Sequence, residues 1–105
     1  MNFIPKSLRF RPRRRELPGG RTVRVSPLVR ASVHDGGLAL LNIRSGQIFL
    51  CNRTGSRIWQ GLLDGRTPQE VADEISNAYG VGRALAEQHT FSFVGELERR
   101  GLVTQ

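Results

Sequence analysis

The chain has 105 residues, 38% of them hydrophobic, and a net charge of +7. That is one small domain's worth of chain, and too apolar for wholly disordered sequence. The apolar run Leu38 to Leu41 falls far short of the roughly 20 residues a membrane-spanning helix needs, and the single cysteine, Cys51, leaves no partner for an internal disulfide.

The charge is unevenly placed. Residues 1–30 hold nine basic residues against the single acid Glu16, a net +8, while residues 31–105 hold seven arginines against eight acids, a net −1. The basic segment also carries Pro5, Pro12, Pro18 and Pro27 and the pair Gly19–Gly20. Proline and like charge both oppose packing, so residues 1–24 are expected to form a flexible basic arm and residues 25–105 the folded domain. The arm solvates the chain or meets an acidic partner. The N-terminus lacks the apolar stretch of about 7–15 residues that defines a secretory signal. Together with the lone cysteine this points to a cytoplasmic protein.

From Pro27 onward the pattern changes. Val29 to His34 reads as a strand, with Val29, Ala31 and Val33 on one face. Asp35, Gly36 and Gly37 supply a hairpin turn. Leu38 to Ile43 is a second strand, and Arg44, Ser45 and Gly46 turn the chain again. Gln47 to Cys51 is a third strand, with Gln47, Phe49 and Cys51 on one side and Ile48 and Leu50 on the other. Short turns between the strands imply an antiparallel meander.

Three helices follow. Thr54 is placed to cap the first, from about Gly55 to Leu63, with Ile58, Trp59, Leu62 and Leu63 at apolar positions. Thr67, Pro68 and Glu70 form a capping-box entry to the second. That helix is expected to bury Val71, Ala72, Ile75 and Tyr79 and to end at Gly80. The third runs from about Arg83 to Arg100 with the stripe Leu85, Phe91, Val94 and Leu97, and Phe93 beside it. Leu102 and Val103 then fold back onto the core. The fold class is α+β: a three-stranded antiparallel sheet followed by three helices, winged helix-turn-helix-like.

No catalytic constellation stands out. There is no nucleophile elbow, phosphate loop or dinucleotide fingerprint. His34, Cys51 and His89 lack metal-ligand spacing, and no sequence signal supplies the basic group that would activate Cys51. Neither an enzyme nor a cofactor is expected. What remains is a binding module. The third strand is apolar, uncharged and an edge of the meander, and an open edge accepts an extended peptide as an added strand. The other occupants of that edge are the arm or another copy of the chain.

The ordered residues resemble a known family. Leu40–Leu41–Asn42–Ile43–Arg44–Ser45–Gly46–Gln47–Ile48–Phe49 looks like the strand–turn–strand of PqqD-like proteins. Leu50, Asn52, Gly55, Ile58 and Trp59 are similar to the segment that follows it there. Leu62 to Thr67 with Glu70, Val71 and Ala72 matches the second-helix entry, Tyr79 the aromatic that closes that helix, and Phe93, Val94, Leu97, Gly101, Leu102 and Val103 the C-terminal signature. The resemblance covers about residues 25–104 and is greatest to the stand-alone proteins of lasso-peptide clusters. Phe91, after Thr90, departs from the aspartate–valine pair often found there, and the arm is longer than the family's usual start.

The resemblance implies a recognition element for the leader of a ribosomally made, post-translationally modified precursor peptide. The leader would lie beside the third strand, against the third helix. Carried onto this chain, the peptide-binding residues are Gln47, Ile48, Phe49, Leu50, Cys51, Phe91, Phe93, Val94, Leu97 and Arg100. Arg99 and Arg100 could pair with leader acids. The implied partners are the precursor leader and a leader peptidase, and possibly a cyclase, with no membrane and no nucleic acid. A monomer or a strand-exchanged dimer fits an open edge. Two alternatives stay open: a peptide carrier for a radical enzyme, and a winged-helix DNA-binding protein with a basic arm. The near-neutral body weighs against the second.

Overall fold

The sheet begins with a hairpin whose first strand, Val29–His34, is mostly exposed among the described residues. The structure is a computed structural model and describes residues 20–104. In chain order it comprises β1 (Arg24–Val25), β2 (Val29–His34), β3 (Gly37–Asn42), β4 (Ile48–Cys51), α1 (Arg53–Leu63), α2 (Pro68–Tyr79), α3 (Arg83–Arg99) and β5 (Val103–Thr104). The main sheet is antiparallel with order β2-β3-β4. This is the expected α+β arrangement of three strands and three helices. A second, two-stranded sheet pairs β1 with β5, which the sequence reading lacked.

The turns follow from local chemistry. Gly36 and Gly46 sit at φ +82° and +77°, a region a side chain disfavours, which reverses the chain after β2 and before β4. Asn42 Oδ1 accepts from the main-chain N–H of Arg44 at 2.9 Å and of Ser45 at 3.3 Å, closing the β3–β4 turn. In α2 the expected capping box is complete: Glu70 N–H donates to Thr67 Oγ1, and Thr67 N–H donates to Glu70 Oε1.

The core lies between the inner sheet face and the helices. Leu40 enters it from β3, Ile58, Trp59 and Leu62 from α1, Val71 and Ile75 from α2, and Val94 and Leu97 from α3. Leu102 and Val103 seal it, as expected. Gly61 lets α1 and α2 close up, since a methyl there would lie 2.7 Å from Val71 Cγ2.

Several expectations need correction. Asn52, not Thr54, caps α1; its backbone is extended and its Oδ1 accepts from Gly55 N–H at 2.8 Å, which places Thr54 inside the helix. Tyr79 is 42% exposed rather than buried, because the last turn of α2 runs past the core and Arg57 packs over its ring. Leu63, at the end of α1, is also exposed. In α3 the buried stripe is Ala86, Thr90, Val94 and Leu97. Leu85 is exposed, one position off a face that small residues fill. Val33 is exposed although it shares a face with Val29, since β2 extends beyond the helices.

Val23 is already in the core cluster, and Arg24–Val25 pair with Val103–Thr104. The expected arm falls mostly in residues 1–19, outside the described residues.

Candidate functional site

β4 has one neighbour among the described strands. β3 pairs along one side of it, and no described strand pairs along the other. The Asn42 N–H donates to Gln47 C=O at 2.9 Å, which sets the phase of the ladder. By antiparallel alternation Phe49 and Cys51 then bond inward to β3, and the main-chain groups of Ile48 and Leu50 face the open edge. The same alternation directs the side chains of Phe49 and Cys51 to the helices and those of Ile48 and Leu50 to the outer face. Ile48 is 61% and Leu50 76% exposed.

Between this strand and the helices runs a groove of about 590 Å³. Phe49 and Phe93 meet across it with ring centroids 5.8 Å apart, tilted by 46°. Ile58 lies in its floor, and Thr54, His89 and Ser92 give it a polar end. Gly55 makes room for the Phe93 ring: a methyl on Gly55 would fall 2.9 Å from Phe93 Cε1. At the other side Arg100 stacks on Phe49, its guanidinium carbon 5.0 Å from the ring centroid. Glu96 accepts hydrogen bonds from both Arg99 and Arg100, and these hold its carboxyl below the usual glutamate value. Burial pushes the Cys51 thiol up to about 11, so it stays a protonated, inert side chain in the groove wall.

The residues expected to bind peptide separate into three groups. Phe49, Leu50, Cys51 and Phe93 line the groove. Val94 and Leu97 are buried in the core beneath α3. Gln47 is exposed just before β4, Ile48 is on the outer face, Phe91 is half-buried away from the groove lining, and Arg100 stands at its edge over Phe49. Sequence reasoning missed Asn52, Thr54, Gly55, Ile58, His89 and Ser92. Helical spacing held the signal for the last two, since His89, Ser92, Phe93, Glu96 and Arg100 fall on one face of α3 and its continuation.

A larger cleft of about 780 Å³ lies between α1 and α2. There Arg66 pairs with Glu74 at 3.0 Å and Asp64 at 3.5 Å, and Arg57 lies over the Tyr79 ring. It is a solvated polar surface rather than a groove beside an open strand. Among the described residues no group of three or more His, Cys, Asp or Glu could hold a metal ion. No described helix is long and apolar enough to cross a membrane.

The model of the family described as coenzyme PQQ synthesis protein D (PqqD) matches residues 37–103. The chain belongs to the PqqD family. The match begins at β3 and runs through β4 and all three helices to β5, so it contains the whole groove. Two solved structures are similar. TbiB1 in complex with the TbiA(beta) leader peptide is 31% identical with a TM-score of 0.72, covering 76% of this chain and 93% of that one. Lasso peptide synthetase B1 complexed with the leader peptide is 33% identical with a TM-score of 0.74, covering 80% and 99%. The resemblance to the lasso-peptide members of the family is thereby shown. A comparison with curated proteins gives no match.

Proposed function

We propose that this chain is a non-catalytic recognition protein for the leader region of a ribosomally made precursor in lasso-peptide biosynthesis. The observation that carries this reading is the edge of β4 that no described strand pairs, bordering an apolar groove. The main-chain groups of Ile48 and Leu50 would hydrogen-bond the leader as an added strand. The Phe49–Phe93 groove would take an apolar or aromatic anchor from alternate leader residues. Two structures of similar proteins that hold leader peptides support the reading.

Delivery to the leader peptidase uses the other side of the same strand. Ala39, Leu41, Ile48 and Leu50 share the outer sheet face by register, and a leader strand on β4 would extend that face. A peptidase seated there would touch recognition protein and leader together.

The test is a fluorescence-anisotropy titration. The probes are the labelled N-terminal half of the small precursor encoded nearest this gene and a random DNA duplex. Saturable peptide binding that survives added salt, beside salt-labile duplex binding, is the expected result. Sequence-selective duplex binding with no peptide binding would overturn the reading.

A further inference from the structure

Arg100 is restrained at three points. Its main-chain oxygen accepts from Asn42 Nδ2 at 3.0 Å. Its Nε donates to Glu96 Oε2 at 2.9 Å. Its guanidinium lies over the ring of Phe49, a β4 residue that also lines the groove. Its two Nη nitrogens carry no hydrogen bond among the described residues, and the side chain is 40% exposed.

This is an unusual state for a surface arginine. A free one must give up rotamer entropy to bind anything. Here the stack and the carboxylate have already fixed the fork, so a ligand meets a charge that is in place. Glu96 is shared between Arg99 and Arg100, so two cations oppose one anion and the cluster keeps a positive charge. Glu98 pairs with neither arginine. A planar fork with free N–H groups suits a carboxylate oxygen pair better than any neutral acceptor.

We propose that Arg100 selects leaders carrying an acidic residue one or two positions from the side chain that anchors over Phe49. The spacing follows from the short Arg100–Phe49 distance and a strand rise of about 3.3 Å per residue. The proposal rests on the leader-binding reading above. Arg100 acts as a specificity determinant, and Glu96 as the positioning residue that holds its fork.

The test is a double-mutant cycle read by anisotropy. One arm is the wild-type chain, Arg100→Gln and Glu96→Gln. The other is the labelled leader half and its variants with each Asp or Glu changed singly to Asn or Gln. One leader position is expected to lose about tenfold in affinity for wild type and nothing further for Arg100→Gln. Glu96→Gln should lower affinity for the acidic leader and leave the amide variant unchanged. Losses that simply add across the cycle would overturn the selector role while leaving leader binding intact. A wild-type chain that binds no leader form would overturn the leader reading as well.

Discussion

Asn42 joins the β3–β4 turn to the end of α3: its Nδ2 donates to the main-chain oxygen of Arg100, 58 residues away, at 3.0 Å. The same side chain accepts from Arg44 and Ser45 through Oδ1. It is only 8% exposed, so truncation strands turn donors and a helix-end acceptor in a nearly dry site. Asn42→Ala is expected to cost about 1–3 kcal/mol in urea unfolding. Leader affinity should fall too, because the strand and helix sides of the groove are no longer tied together.

Gly55 and Phe93 are linked by contact rather than by a hydrogen bond. Gly55→Ala places a methyl 2.9 Å from Phe93 Cε1, so the ring must shift. The better helix propensity of alanine, worth up to about 1 kcal/mol, offsets part of the crowding. Stability is therefore expected to change by about 1 kcal/mol or less, while leader affinity drops several-fold. A large loss of stability with unchanged affinity would place the Phe93 ring outside the binding surface.

Two substitutions separate side-chain from main-chain recognition on β4. Phe49→Asp puts a charge in the apolar groove and is expected to abolish leader binding without unfolding the domain. Leu50→Pro removes an N–H from the open edge and leaves the ladder to β3 in place. It should weaken leader binding roughly tenfold with little change in the circular dichroism spectrum. Unchanged affinity in both variants would remove β4 from the mechanism.

Ile48 tests the outer face. It is 61% exposed and directed away from the groove. Ile48→Glu is expected to keep leader affinity within about twofold and to lose stimulation of leader cleavage by the peptidase, since a charge is costly in an apolar contact. Cleavage at the wild-type rate would move the docking surface elsewhere.

Cys51 supplies a pH signature. Its thiol is raised to about 11 by burial, from an ordinary 9.0. The folded state therefore holds the proton more tightly than the unfolded state. This contribution to stability is fully present below pH 9 and is lost as pH rises through about 11. At pH 8 alkylation by iodoacetamide should be roughly a hundredfold slower in the native chain than in urea. Equal rates would mean that the groove wall opens readily.

The order of elements was legible from residues alone. Glycine and asparagine turns, alternation in Leu38 to Cys51 and the Thr67–Glu70 box are local signals, and each acts within a few residues. An uncharged apolar edge is rare in a lone sheet, and no described strand pairs along the outer side of β4. The errors came where local patterns meet tertiary packing. Thr54 and Asn52 are both plausible caps, and only the path of the chain leaving β4 selects Asn52. Leu85 and Tyr79 are apolar enough for a core, but Leu85 lies one position off the buried face of α3 and the last turn of α2 runs past the core. Val23 joins the core through a strand pairing with residues some 80 positions away, which no local pattern encodes.

The three strands of the main sheet and the three helices are set locally, because hydrophobic period and capping chemistry are short-range, whereas the β1–β5 pair is not. Which side chains of α3 face the groove and which support it is set by long-range packing. His89, Ser92, Phe93 and Arg100 border the groove or stand at its edge, while Val94 and Leu97 turn inward, and that choice depends on how α3 rotates against β4 and Gly55. Rotation of a helix about its axis is settled by packing against its neighbours, and the groove-side neighbours of α3, Phe49 and Gly55, lie far back in the chain.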